Sequence, residues 1–540
     1  MNTERLLQHY EQIADAPDAI VRLRRFILDL AVRGKLVPQD HMEEAELRHK
    51  NSNSQAAPFE LPDNWEWIRI GDQLDLLNGM AFKPTDWTTE GLRIVRIQNL
   101  NKRDAAFNFC KPEMAKERSL IDTGSFLISW SGTPGTSFGA FIWDRGPAVL
   151  NQHIFRCDFK TNAFIADFLR LAINGRLDEM IAKAHGGVGL QHITKGKLEA
   201  LLIPLPPLAE QHRIVAKVDE LMALCDELEA ARTEREMKRD RLAAASLARL
   251  NTPDPETFRD DVRFALAALP ALTARPDQIK QLRQTILNLA VRGKLVPQDP
   301  ADEPASELFK RFSLGSVTDK TTADPSFAVP EGWIWTTVQD VLSPTREISY
   351  GVIKLGDEPK SGGVPTLRCS DVRPGYIDLS GVRKVSEEIE REYARTRLIG
   401  GEVLINVRGT LGGVALVPEK LSGFNVAREV AVVPVDPSLC SEFFVYLMLS
   451  PYFWEKVTSN IRGIAYKGLN LGTLREIQVP LPPLVEQYRI AAKVDELMAL
   501  CDQLETSLTS ADKTRKKLLG ALLAEALAPV DAEALQEAAE

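Results

Sequence analysis

The sequence predicts an α+β fold built twice, as two similar mixed α/β domains separated by long, coiled-coil-like helices with an internal pseudo-two-fold repeat. Three observations carry this. PLPPLAEQHRIVAKVDELMALCDELE (204–229) returns almost unchanged as PLPPLVEQYRIAAKVDELMALCDQLE (480–505), and LAVRGKLVPQD recurs at 30–40 and 289–299. A long repeat period is read before any local signal. Third, Ile214, Val218, Leu221, Cys225 and Leu228 alternate in spacings of four and three, as do Ile490, Val494, Leu497, Cys501 and Leu504. That spacing is the a/d seam of a helix packed lengthwise on another helix. Two readings fit: each helix is a core helix of its own domain, or the two helices pack on each other and space two domains.

In order, residues 1–40 form a helical arm, with Leu23, Phe26, Ile27, Leu30 and Ala31 at helical spacing and Gly34 as its stop. Polar residues 41–58 are a linker. Residues 59–205 are the first globular domain, with strands expected at 92–97, 125–129 and 138–143 and a helix at 163–183. A central helical region covers 206–300, with a long helix to about Leu250, a Pro-containing break and a second helix near 275–292. Then follow a linker (301–326), a second domain (327–481), a long helix (482–528) and an acidic tail (529–540).

A chain of 540 residues with 44% hydrophobic content is ample for several cores. The six Cys form no CxxC pair, so neither a zinc ribbon nor a disulfide framework is signalled. With no apolar run long enough for a bilayer and no signal peptide, the cytoplasm is the expected compartment. The net charge of −9 counts against a simple nucleic-acid binder, but the acidity lies mostly in the helical segments and tail. The two domains are close to neutral, so local arginine clusters can still meet phosphate.

Catalytic constellations are missing from the sequence. There is no GxxxxGK[ST] phosphate loop, no GxGxxG after a strand and no Asn-Pro-Pro-aromatic motif. All seven His precede Arg213, so the second domain has no histidine base.

The polar loops say more. GSFLISWSGT (124–133) aligns with GEVLINVRGT (401–410), and RIVRIQNL (93–100) with PTLRCSDV (365–372). Thr133, Arg408 and Thr410 sit in Gly-containing loops after a strand, where backbone approaches a ligand closely. Arg96, Gln98, Asn99 and Lys102 form a polar run matched by Arg368 and Ser370. Asn151, Gln152 and Arg156 in one domain answer Asn425 and Arg428 in the other, and Lys195 and Lys467 precede the last strands. Asn and Gln suit adenine edges and Arg suits guanine, so these are candidate DNA-binding residues. A plain hairpin or polar sheet edge is the alternative at each position.

On the paired PLPPLxEQxRIxxKVDELMALCDxLE and LAVRGKLVPQD segments, the chain resembles the specificity subunit of type I restriction–modification systems over nearly its whole length. The resemblance implies two target-recognition domains, each reading half of a bipartite, asymmetric double-stranded DNA site. It implies antiparallel helices that act as a spacer. It also implies two modification (methyltransferase) subunits and restriction (translocase-nuclease) subunits as partners. No catalytic site, metal or cofactor is then expected in this chain; S-adenosylmethionine, ATP and Mg belong to the partners. A self-contained methyltransferase or nuclease and a protein-only scaffold are the competing readings. The central helices are continuous in sequence while the other set is split between the C-terminal helix and the N-terminal arm. If those ends meet, one chain acquires a pseudo-two-fold axis.

Overall fold

A computed structural model describes residues 13–40, 58–132, 138–176, 191–312, 327–461 and 468–527. The chain divides into two units, residues 1–234 with 512–540, and residues 235–511. Each unit holds one mixed domain, one arm helix, the start of one long helix and the end of the other.

Both long helices begin directly after the Pro-rich segment. They run over Leu208–Asn251 and Leu484–Leu527, 44 residues each, or about 66 Å at 1.5 Å per residue. The arm helices are Ala19–Val32 and Pro276–Val291. Each arm ends on a glycine in the left-handed region, Gly34 (φ 68°) and Gly293 (φ 65°). The N–H of Lys35 reaches Leu30 O at 3.0 Å and that of Lys294 reaches Leu289 O at 2.9 Å, closing the last turn.

Within the first unit the arm helix packs on two partners. Ile27, Ala31 and Val32 join Ile214, Val218 and Cys225 in the domain core, with Leu221 partly buried beside them. Phe26 and Leu30 join Leu519, Leu522 and Leu523 from the end of the second long helix. The chain ends therefore meet: Arg22 Nη1 donates to Lys516 O at 2.8 Å and Lys35 Nζ to Leu527 O at 2.9 Å. The second unit repeats the plan. Ile279, Ile286 and Ala290 share a core with Ile490, Val494 and Cys501, with Leu497 and Leu504 at its margin. Ala243, Leu247 and Leu250 pack with Ala265 and Leu272, and Leu282 of the arm helix lies beside them. Inside each unit, then, the heptad seam faces the arm helix and the domain rather than another long helix. Leu228 is the exception, 41% exposed.

The first domain is closed by its outermost strands, 66–69 against 202–205. Inside lie an antiparallel sheet in the order 74–78, 154–159, 126–129, 139–142 and a second sheet in the order 108–110, 92–95, 148–150, 120–121. Strands 92–95 and 148–150 run parallel. The expected strands at 92–97, 125–129 and 138–143 are present within one or two residues; of the helix expected at 163–183, Ala166–Asn174 is helical and residues 177–183 lie outside the described residues. The second domain is closed by 334–337 against 478–481. Its main sheet runs 349–350, 430–433, 403–406, 414–416, and 364–367 pairs in parallel with 425–426. No helix among the described residues is long and apolar enough to cross a membrane.

Candidate nucleic-acid interface

The copied motifs turn out to meet one another. Glu210, 0% exposed, accepts from Trp65 Nε1 at 2.8 Å and from Gln39 Nε2 at 2.6 Å. In the second unit Glu486 accepts from Trp333 Nε1 and Gln298 Nε2, both at 2.9 Å. Each Gln also donates to its arm glycine, Gly34 O at 2.9 Å or Gly293 O at 2.8 Å. The neighbouring Gln211 and Gln487, also 0% exposed, accept from Ile165 N and Cys440 N. One buried carboxylate thus locks arm, domain and long helix together, which explains why VPQD and PLPPLxEQ are copied. Several turns further along the long helices, Arg24 pairs with Asp226 (2.6 Å) and Glu229 (2.9 Å), and Arg283 with Asp502 (2.5 Å) and Glu505 (3.3 Å). The hydrogen bond to Asp226 raises the Arg24 pKa above its ordinary value.

The candidate DNA-binding residues separate into two groups. Ladder registers align the domains: Val95 pairs with Leu150 as Leu367 pairs with Val426, and Asn78 pairs with Phe155 as Tyr350 pairs with Ala431. Gln152 and Arg428 therefore occupy one position, and Ser131 and Arg408 another. Asn425 lies two residues before the counterpart of Asn151, which is Ala427, and matches Val149.

Five of the candidates are engaged within the fold. Asn425 is 0% exposed; its Oδ1 accepts from Thr396 (2.7 Å) and its Nδ2 donates to Glu390 and Tyr393 O (3.1 Å each). Asn99, also 0% exposed, accepts from Arg96 N (3.0 Å) and donates to Ala105 O and Ala106 O. Arg368 N donates to Asp371 in the same turn, and the Arg368 guanidinium is held by Asp371 and Gly381 O (2.6 Å). Arg156 grips Asp158 with two nitrogens and reaches Glu117 O and Leu120 O at 3.0 Å; the Asp158 hydrogen bond raises its pKa. Lys195 Nζ donates to Leu76 O at 2.9 Å. These side chains are spent on the fold. Thr133 and Lys467 lie outside the described residues.

The second group shares one edge of each domain. In the second domain Arg408 lies over the Tyr350 ring, 5.7 Å from its centroid, and its backbone N–H donates to Glu429 O. Arg428 is exposed, and its backbone N–H donates to Val352 O at 2.9 Å. No hydrogen-bond acceptor among the described residues engages the guanidinium of Arg408 or Arg428. Thr410 and Ser370 are exposed nearby, the latter donating to Asp371 at 2.8 Å. In the first domain the same edge carries Asn151, Gln152 and Arg96, whose guanidinium lies 5.9 Å from the Trp87 ring, with Gln98 and Lys102 exposed. Trp130, at the position of Val407, packs on His153 at 5.5 Å. Buried polar atoms without a hydrogen bond gather at these edges: Arg96 Nε, Asn108 Nδ2, Gln152 Oε1, Asn406 Oδ1 and Glu429 Oε2. Such atoms are costly unless something else meets them. Free guanidinium groups, aromatic faces and unspent amides suit phosphate and base edges.

Two copies of one closed domain on a shared helical frame, each with a polar edge of different composition, define a two-site recognition protein. Residues 62–238 and 345–511 match the family described as "Type I restriction modification DNA specificity domain", and the chain belongs to that family. It is 26% identical to the EcoBI specificity subunit of a type I restriction enzyme from Escherichia coli, over 86% of this chain and 85% of that one. It is 30% identical to the putative MjaX specificity subunit from Methanocaldococcus jannaschii, over 86% and 94% of the two chains. A crystal structure of the HsdS subunit from Thermoanaerobacter tengcongensis aligns over 87% of this chain and 98% of that one at 19% identity, with a TM-score of 0.42.

Proposed function

We propose that this chain is the DNA-recognition subunit of a type I restriction–modification complex. Each domain reads one half of a bipartite site, and the long helices set the interval between the halves. The chain performs no chemistry itself. Methyl transfer from S-adenosylmethionine and Mg-ATP-driven restriction reside on partner subunits that join it at the chromosome in the cytoplasm. The observation that carries the reading is the contrast at the domain edges: a common frame bearing Arg408, Arg428 and Tyr350 in one copy and Ser131, Gln152 and Asn78 in the other.

The outward face of the long helices supports two equivalent docking positions for one modification subunit. Lys217 pairs with Glu220 as Lys493 pairs with Glu496, both at 2.9 Å, and Leu224 and Leu500 are each 47% exposed. An exposed leucine repeated on both copies is what a shared partner would bury.

Co-expression with the cognate modification subunit in a methylation-free host, followed by methylome sequencing, tests the proposal. A split adenine-methylated motif is expected, and the purified chain alone should transfer no methyl group. Replacing residues 66–205 with a relative's domain should change one half of the motif. Change in both halves would defeat the modular reading.

A further inference from the structure

We infer that Arg408 reads a guanine in the half-site of the second domain, with Tyr350 as its positioning residue. This rests on the DNA-recognition reading above and deepens it. Arg408 follows the strand Val403–Asn406 and is only half buried. Three contacts fix where its side chain leaves the backbone. Its N–H is tied to Glu429 O, it bridges Gly468 across the edge, and Gly409 behind it has φ 73°. Gly468 lies alongside the start of this side chain, where a Cβ would sit in ordinary contact with Arg408 Cγ at 3.4 Å. Beyond this the guanidinium carbon lies 5.7 Å from the centre of the Tyr350 ring, a contact that uses none of its five N–H donors.

That arrangement differs from the arginines engaged within the fold. Arg156 and Arg368 have their forks filled by Asp158 and Asp371. The Arg408 fork lies over an aromatic ring with no acceptor in it among the described residues. An unfilled guanidinium fork matches the O6 and N7 acceptors of guanine, the one base edge that takes two parallel N–H donors in the major groove. The buried, unbonded Glu429 Oε2 beside it is an independent sign that this edge is finished by a ligand. The first domain has Ser131 and Asn78 at these positions, so the guanine requirement falls on one half-site only.

The test is methylome sequencing of the full chain co-expressed with its modification subunit. Replacing residues 334–481 assigns the half-site. The wild-type motif is expected to contain a fixed guanine in that half. Arg408→Ala should relax this one position, with discrimination falling about 10- to 100-fold, and leave the other half intact. Arg408→Lys keeps the charge but not the fork and should relax it too. Tyr350→Phe should retain the motif and Tyr350→Ala weaken it. Four results overturn the inference while leaving the recognition reading in place. These are a half-site without guanine, an unchanged motif in Arg408→Lys, a uniform loss at all sites with a salt slope lower by about one, and loss of the motif in Tyr350→Phe. Absence of any sequence-specific methylation by the wild-type complex would instead overturn both.

Discussion

The two domains share a frame almost residue for residue and differ where the frame ends. Trp65 and Trp333 donate to Glu210 and Glu486 at 2.8 and 2.9 Å, while one edge offers Arg408 and Arg428 and the other Ser131 and Gln152. Even a position inside the fold follows this division, because Asn425 ties down Glu390 and Thr396 where the first domain has Val149. Residues that hold arm, domain and helix together answer to one geometry in both units. Residues at the edge differ between the copies, as the proposed reading of two different half-sites requires. A repeated protein can therefore change what it reads without disturbing what holds it.

The sharpest challenge to this comparison is the buried clamp. Glu210→Ala and Glu486→Ala each strand an indole N–H and a glutamine amide, and should each cost about 1–3 kcal/mol or somewhat more. Denaturant unfolding should show similar losses for the two; a large inequality would mean the frame is not equivalent. A smaller and unequal effect is expected at Asn425. Asn425→Val copies the first domain's residue but leaves Glu390 and Thr396 short of partners, at about 1–2 kcal/mol. Acid should expose the same network. The Arg397 hydrogen bond holds Glu390 below the usual carboxylate range, with Asn425 assisting. A depressed carboxylate contributes stability above its unfolded pKa and loses it as pH falls through the folded value. The melting-temperature gap between wild type and Glu390→Gln should therefore be full near neutrality and close below about pH 4. A gap independent of pH would remove the charge from the explanation. The smallest change is expected on the helix surface. Arg24→Ala and Arg283→Ala break partly exposed ion pairs and should each cost about 0.2–1 kcal/mol, equally in the two units by thermal melting.

Most of the frame was legible in the sequence because its signals are local. Pro-Pro marks the helix starts, Gly34 and Gly293 the arm stops, and Ile214–Val218–Cys225 the buried face. The clamp was not legible, since Gln39 and Glu210 are 171 residues apart and nothing in either neighbourhood announces the other. The repeats drew attention to it without saying why they were copied. At the edge, orientation was harder to read than residue type. Asn425 and Arg428 are three positions apart, yet one is buried at 0% and the other exposed. Side chains alternate along a strand, so residues an odd number of positions apart face opposite ways. Arg156 and Arg368 were misjudged for a different reason: their aspartates sit two and three residues away, and spacing alone does not show that the forks are filled.

The arm helix Ala19–Val32 has a consequence for synthesis. Phe26 and Leu30 are buried by Leu519, Leu522 and Leu523, which are made only after both domains. At roughly 5–20 residues per second, about half a minute to a minute and a half separates their emergence from the ribosome. The unit formed by residues 235–511 is continuous, but its arm residues Ile279 and Ile286 also wait, for Ile490, Val494 and Cys501. The arm helix of the first unit waits longer with its apolar face uncovered, because almost the whole second unit is made before its partners.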